Sequence, residues 1–219
     1  MPHADICAVL VTGDPAAAER VADLVDLFEV RLDLIGAGWT ALVPHLKKPW
    51  IATNRPRREG GKCDDVETSR MESLFQALEA GAAMVDIELG TADLARVTRR
   101  IKLKGRCLIS YHNFTATPPY RELAAILAAE KSAGADICKV VTTAQRPADN
   151  FPLLQLLRDF AATPAVAFAM GEHGTLSRIL CPLVGGAFTY AAVSPGAASA
   201  PGQLTAAELH NLYGMVQKC

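Results

Sequence analysis

The sequence lacks long hydrophobic segments and a recognisable export signal. Its apolar runs, such as residues 6–11, are about six residues long, whereas a helix that crosses a bilayer needs roughly 20. The first five residues show no basic region leading into an apolar segment, as a secretory signal would. We therefore expect a protein that does not associate with a membrane and that resides in the cytoplasm.

Closely spaced cysteine pairs, basic runs interleaved with aromatic residues and nucleotide-binding motifs are also missing, although a local basic cluster could bind a small anion. The six cysteines form no C-x-x-C pair and several fall in predicted strands, which favours reduced, mostly buried thiols over disulfides or a zinc site. The net charge is −1 and no Lys/Arg run is interleaved with aromatic residues, so we expect no nucleic-acid partner. Neither a G-x-G-x-x-G after the first strand nor a P-loop is present.

The chain does contain eight short apolar runs that alternate with amphipathic segments, a pattern typical of β-α units around a parallel sheet. Two of the predicted helices end at Gly81 and Gly134, positions that suit a left-handed C-cap. Eight such units predict a single (β/α)8 TIM barrel over residues 1–219, with an open doubly wound sheet as the alternative. The runs lie at 6–12, 27–32, 50–54, 83–89, 107–111, 136–142, 165–170 and 187–191.

Lys139 is unusual because it lies in the middle of the sixth apolar run. Lysine is rarely buried unless it is paired or functional, since removing an ammonium from water is unfavourable. A buried amine can form a Schiff base with a carbonyl substrate. The alternatives are a structural pair with a carboxylate, or a strand end at which the ammonium reaches water.

Polar residues of the other runs share one strand face, because strand side chains alternate between faces. The outer face of a parallel barrel packs on helices, so the polar face is predicted to point inward, and Cys138 and Val140 outward. Charged groups at strand carboxyl ends indicate a catalytic site, whereas structural ion pairs and a hydrogen-bonded core histidine are the alternatives. The inward set is Glu29, Arg31, Asp33, Thr53, Arg55, Asp86, Glu88, Ser110, His112 and Lys139.

Three loops complete the predicted site. Residues 55–61 place Glu59 near the pocket mouth, although a solvated charged loop explains them as well. The segment after the seventh run turns into a helix from which Arg178 can face the pocket. Residues 194–204 form a loop of small residues that predicts a mobile lid, with a passive surface loop as the alternative.

Taken together and in this order, the motifs resemble those of type I 3-dehydroquinate dehydratase. The resemblance covers almost the whole chain, and its specificity lies in the combination. The matching segments are Glu29-Val30-Arg31-Leu32-Asp33, Thr53-Asn54-Arg55 with Glu59-Gly60-Gly61, Asp86-Ile87-Glu88, Ser110 to Phe114, Lys139, Met170-Gly171 with Ser177-Arg178, and Ser199 to Gln203.

The resemblance implies a (β/α)8 enzyme of the shikimate pathway, homodimeric and free of metal and cofactor, that converts 3-dehydroquinate to 3-dehydroshikimate. It implies that Lys139 forms an imine with the substrate ketone, that His112 is the acid and base, and that Glu59 orients His112. Arg178 resembles the ligand of the substrate carboxylate. Glu29, Arg31, Arg55, Ser199 and Gln203 resemble the remaining substrate contacts.

The chain departs from this family in three places. Only five residues precede the first strand, which leaves little room for the amino-terminal hairpin that often plugs the barrel bottom. Val30 stands where an aromatic residue is frequent, and Asn113 where Asp is common. Two other functions remain open: a Schiff-base aldolase on the same barrel, disfavoured by the absence of a Gly-rich phosphate loop, and a non-catalytic binder of shikimate-pathway metabolites.

Overall fold

Eight parallel strands alternate with helices and curve into a nearly closed barrel in the computed structural model, which describes residues 3–216. This confirms the predicted (β/α)8 architecture. The strands are β1 Ile6–Leu10, β2 Leu27–Arg31, β3 Trp50–Thr53, β4 Met84–Glu88, β5 Arg106–His112, β6 Ile137–Thr143, β7 Ala165–Met170 and β8 Thr189–Ala192. The helices are α1 Pro15–Glu19, α2 Leu32–Ile35, α3 Trp39–Leu42, α4 Glu67–Glu79, α5 Leu94–Ile101, α6 Tyr120–Ser132, α7 Phe151–Asp159, α8 Thr175–Leu180 and α9 Ala206–Val216.

Strand pairing runs in the order β7-β6-β5-β4-β3-β2-β1-β8, all parallel. Within residues 3–216, β7 and β8 share no ladder, and the seam between them is closed by other contacts. The amide of Ala187 donates to the carbonyl of Ala165 (2.8 Å), and the rings of Phe168 and Tyr190 meet edge to face with centroids 6.0 Å apart. The carboxyl ends of all eight strands therefore lie at one rim.

The two glycine C-caps form as predicted. Gly81 and Gly134 have φ of +98° and +94°, and their amides donate to the carbonyls of Leu78 and Lys131 (3.0 Å each). These left-handed positions are accessible to glycine at little steric cost, so each helix stops there and turns into the following strand.

The outward face of β6 also agrees with strand parity. Cys138 packs against α6, where its thiol lies 3.8 Å from the carbonyl of Leu127, and Val140 is fully buried among apolar side chains. Five cysteines are free and buried, and Cys219 lies outside the described residues. In the part of the chain that the structure describes, no helix is long and apolar enough to cross a membrane.

The end of β2 differs from the prediction, and the amino ends of the strands enclose a cavity. β2 ends at Arg31, because Leu32 already begins α2, so Asp33 belongs to a helical turn and not to the strand face. At the amino ends of the strands, a cavity of about 290 Å³ opens below the core. Its apolar lining comes from Leu27, Ile51, Met84, Ile137 and Phe188.

Candidate active site

The nine residues to which the resemblance assigns catalysis or substrate binding all line one pocket at the carboxyl ends of the strands. Six come from strands or the loops that follow them, one from α8 and two from the loop after β8. They are Glu29, Arg31, Arg55, Glu59, His112, Lys139, Arg178, Ser199 and Gln203.

Lys139 lies at the bottom of this pocket and is 5% exposed. Its Nζ is 2.9 Å from Oδ2 of Asp86 and 3.5 Å from Oε1 of Glu29. The ammonium also lies over the ring of Tyr190, 4.2 Å from its centroid, at a distance where a cation is attracted by the ring face. The structure thus combines two of the possibilities raised by the sequence: the lysine is paired with a carboxylate, and it also reaches the pocket.

Arg55 connects the two carboxylates of β4. Its Nη2 is 2.6 Å from Oδ2 of Asp86, and its Nη1 donates to Oε1 of Glu88 (2.7 Å) and to Oγ of Ser110 (2.8 Å). Ser110 in turn donates to Oδ1 of Asp86 (2.7 Å). Burial alone would raise the pKa of Asp86, but the charges of Arg55 and Lys139 outweigh it and hold that pKa below its usual range.

His112 and Glu59 form a second pair on the pocket wall. Nδ1 of His112 lies 3.1 Å from Oε2 of Glu59, and Phe114 stacks on the imidazole with ring centroids 5.9 Å apart. Burial, reinforced by the charges of Arg55 and Lys139, lowers the pKa of His112 well below 6.5, so the ring is neutral near pH 7. Burial raises the pKa of Glu59 to about 7.

Arg178 is a buried cation without a carboxylate partner among the described residues. It is 1% exposed, its Nη2 donates to the carbonyl of Pro201 (3.3 Å), and its guanidinium lies over the Phe168 ring at 4.4 Å from the centroid. Its Nε has no hydrogen-bond partner in the described part of the chain. Burial lowers the pKa of Arg178 to about 10. A buried guanidinium in this state is ready to receive an anion.

The remaining polar residues of the wall already have partners. Arg31 binds Asp33 through two hydrogen bonds (2.9 and 2.7 Å), and Glu29 accepts one from the hydroxyl of Thr53 (2.9 Å). Asp33 therefore contributes to the site through Arg31, although it does not lie on the strand face assigned to it from the sequence.

The loop at 194–204 lies against the pocket. The amide and hydroxyl of Ser199 donate to Oε1 of Gln203 (2.8 and 3.1 Å), which closes the loop on itself. The carbonyl of Pro201 accepts from the amide of Gly171 (3.2 Å) as well as from Arg178. The loop is thus attached to the segment after β7 at one point and presents Ser199 and Gln203 to the pocket.

Three contributors were not selected from the sequence. Tyr190 and Phe168 lie in β8 and β7, and strand parity would have placed both on the inner face, but their runs read as plain apolar strands. Arg70, in the first turn of α4, is 1% exposed and lies 2.7 Å from Oε2 of Glu88. Its spacing to Glu67 is that of an ordinary surface ion pair, so the sequence carries no signal of its burial.

Within residues 3–216 one group of side chains has the spacing of a possible metal site, namely His3, Asp5 and Asp26, whose ligand atoms lie within 4.8 Å of one another. It is near the amino end of β1, away from the pocket. The pocket itself offers an amine, a neutral imidazole and an unpaired guanidinium. Such a set can form an imine, move a proton and bind an anion.

Comparisons with known proteins agree with this chemistry. A family model described as Type I 3-dehydroquinase matches residues 6–219. A 3-dehydroquinate dehydratase of Dehalococcoides mccartyi strain BAV1 is 42% identical over 211 residues, covering 96% of this chain and 95% of that protein. Another, from strain 195 of the same species, is 39% identical over 216 residues, with coverage of 99% and 97%. The crystal structure of 3-dehydroquinate dehydratase from Geobacillus kaustophilus HTA426 superposes with a TM-score of 0.88 at 28% identity, covering 99% of this chain and 92% of that one.

Proposed function

The chain belongs to the type I 3-dehydroquinase family, and we propose that Lys139, His112 and Glu59 carry out its reaction. The reaction is the elimination of water from 3-dehydroquinate to give 3-dehydroshikimate, a hydro-lyase step of the shikimate pathway that proceeds through a lysine imine. The family match supports this activity over the aldolase and the non-catalytic binder. The observation that carries the assignment of roles is the buried Lys139 amine in one pocket with the His112–Glu59 pair.

In the proposed reaction, the neutral amine of Lys139 adds to the C3 ketone to give a carbinolamine. The carbinolamine takes up one proton from solvent and loses water, which gives a protonated imine. That imine is an electron sink, so a proton can leave C2 while the electron pair is delocalised as an enamine. His112 accepts this proton and delivers a proton to the C1 hydroxyl as it leaves as water. Hydrolysis of the product imine, again assisted by His112, releases 3-dehydroshikimate and restores Lys139.

Glu59 suits the role of orienting His112. When its carboxylate is ionised it accepts a hydrogen bond from Nδ1–H of the imidazole, which leaves Nε2 with a free lone pair as the base. Because the pKa of Glu59 is about 7, ionised and neutral forms are both populated near neutral pH. A pair that exchanges a proton at this pH can serve both the basic and the acidic steps.

Substrate binding is assigned mainly to Arg178, which has no carboxylate partner in the described chain and faces the same pocket. We place the substrate carboxylate against its guanidinium. We propose that the other contacts to the substrate's hydroxyls and carboxylate come from Glu29, Arg31, Arg55, Ser199 and Gln203. Of these, the two arginines are already bound to carboxylates of the protein. Their charge is therefore largely offset, and they contribute hydrogen bonds to the substrate more than attraction for its negative charge.

The proposal extends to a lid at 194–204, to a single catalytic domain, to a cytoplasmic location and to a homodimer. The lid rests on the small residues of the loop and on its attachment through Pro201. The free cysteines suit a reducing compartment. Light scattering on the purified protein tests the dimer, which the proposal expects at twice the 23.3 kDa of the chain.

The activity assay follows formation of the conjugated product from 3-dehydroquinate by ultraviolet absorbance. The wild-type protein is expected to turn over, and Lys139→Met is expected to have no activity above the uncatalysed rate. Product formation by a folded Lys139→Met variant at near wild-type rate would overturn the assignment of Lys139. Absence of turnover by the wild-type protein, with tight binding of 3-dehydroquinate, would instead support the non-catalytic binder.

A further inference from the structure

Arg70 is a buried arginine of α4 that contacts Glu88 at the end of β4. Its Nη1 donates to the carbonyl of Asn54 (2.9 Å), and its Nε and Nη2 bind Glu67 (3.1 and 2.8 Å). Its Nη2 also lies 2.7 Å from Oε2 of Glu88, which is fully buried. Arg70 does not line the pocket, so any effect on the reaction must pass through other residues.

A continuous chain of ion pairs runs from Arg70 to Lys139. Oε1 of Glu88 is 2.7 Å from Nη1 of Arg55, Nη2 of Arg55 is 2.6 Å from Oδ2 of Asp86, and that same oxygen is 2.9 Å from Nζ of Lys139. The charges alternate along the whole chain, and every link is buried. Arg55 and Lys139 therefore compete for one oxygen of Asp86.

This competition matters because Lys139 must lose a proton before it can attack a ketone. The more strongly Asp86 binds the ammonium, the higher the pH at which that proton leaves. Arg55 weakens this hold by sharing Asp86, but Arg55 is also drawn toward Glu88. Arg70 satisfies the other oxygen of Glu88 and offsets its charge, so that Arg55 stays with Asp86.

Other groups face Lys139 and contribute to the same balance. Glu29 and the Tyr190 ring favour the ammonium, while Arg55 opposes it. His112 is neutral near pH 7. Burial raises the pKa of the Cys7 thiol and of the Glu130 carboxyl well above their ordinary values, which favours the neutral form of each. These neighbours come from β1, β2, β5 and β8, from the segment after β3 and from α6. Arg31, Glu59 and Arg178 line the same pocket. Arg70 contacts Glu88 from α4, outside the barrel wall.

We propose that Arg70 is a positioning residue that acts through Glu88 and Arg55 to limit how strongly Asp86 holds the ammonium of Lys139. The inference rests on the proposed imine chemistry of Lys139. Removing the positive charge at 70 makes the buried network one unit more negative, and frees Arg55 to move toward Glu88. Both effects favour the ammonium, so imine formation is expected to require a higher pH.

The test measures the rate at which borohydride traps 3-dehydroquinate on Lys139 as a function of pH, by intact mass. For Arg70→Met the midpoint of the rising limb is expected to move up by about one pH unit, which is about a tenfold slower rate on that limb. Glu67→Gln is the matched control: it removes the outer partner of Arg70 and leaves the contact with Glu88, so its midpoint is expected to stay at the wild-type value.

Two further variants separate charge from structural damage. Arg70→Met with Glu88→Gln removes both buried charges, and its midpoint is expected to return toward the wild-type value. Arg70→Gln retains a donor for the Asn54 carbonyl and replaces Arg70→Met if that variant does not fold, as judged by its thermal transition. A folded neutral variant whose midpoint equals that of the wild type would overturn the inference. Failure of the wild-type protein to be trapped would overturn the proposed function instead.

Discussion

Replacing Arg178 with methionine is expected to stabilise the protein while it impairs substrate binding. Burial lowers the pKa of Arg178 from 12.5 to about 10, and at about 1.4 kcal/mol per pKa unit this corresponds to a desolvation penalty of roughly 3 kcal/mol. Methionine has a similar length and carries no charge. The variant loses the long hydrogen bond to Pro201 and the contact with the Phe168 ring, so the net gain is about 1 kcal/mol.

For a chain of 219 residues, about 1 kcal/mol raises Tm by about 2–4 °C. The same change removes the proposed partner of the substrate carboxylate, and loss of a buried charge pair of this kind is worth roughly 3 kcal/mol, or about 10²-fold in kcat/KM. Calorimetry and steady-state kinetics on one preparation measure both quantities.

Arg178→Lys is the control for this prediction. It keeps the buried charge, so no gain in Tm is expected, and it keeps an attraction for an anion, so kcat/KM falls less than in Arg178→Met. A methionine variant that is less stable than the wild type, or one that retains wild-type kcat/KM, would refute the view of Arg178 as an unpaired cation reserved for substrate.

Three further predictions concern the His112–Glu59 pair and the loop. His112→Ala is expected to retain imine formation but to lower kcat at least about 10²-fold, and a near wild-type kcat would reject His112 as the acid and base. Glu59 has a pKa of about 7 and must be ionised to accept Nδ1–H, so wild-type kcat should fall below about pH 7. In Glu59→Gln this limb should disappear, and its persistence would show that another group titrates. Gly202→Ala should raise KM several-fold, because at a φ of +76° its Cβ would lie 2.4 Å from the Gly171 carbonyl oxygen. Gly196→Ala has a similar φ of +82° with open space around it, so it controls for backbone strain, and an equal KM in both variants would argue against the loop contact.

The barrel and most of the pocket were predictable because they depend on local patterns. Alternation along a strand sends Lys139, Asp86 and Glu29 to one side, and eight parallel strands bring their carboxyl ends to one rim. Their proximity can therefore be predicted without knowledge of any tertiary contact. The agreement between strand parity and the observed pocket is therefore a consequence of the regular geometry of the fold.

The residues that escaped prediction depend on tertiary contacts. Arg70 has the sequence environment of an exposed helix residue, and only the approach of α4 to the end of β4 buries it against Glu88. Tyr190 reads as one more apolar strand residue, and its role beneath Lys139 appears only when β8 is placed beside β1. Alternation along the second run predicts Asp33 on the inner strand face, but α2 already begins at Leu32.

The most direct test of the account is the identity of the residue that forms the imine. The protein is incubated with 3-dehydroquinate and borohydride, digested, and mapped by mass spectrometry. The account predicts one reduced ligand adduct per chain, located on Lys139, and none in Lys139→Met. An adduct on another lysine, or turnover by the wild-type protein with Lys139 unmodified, would contradict it.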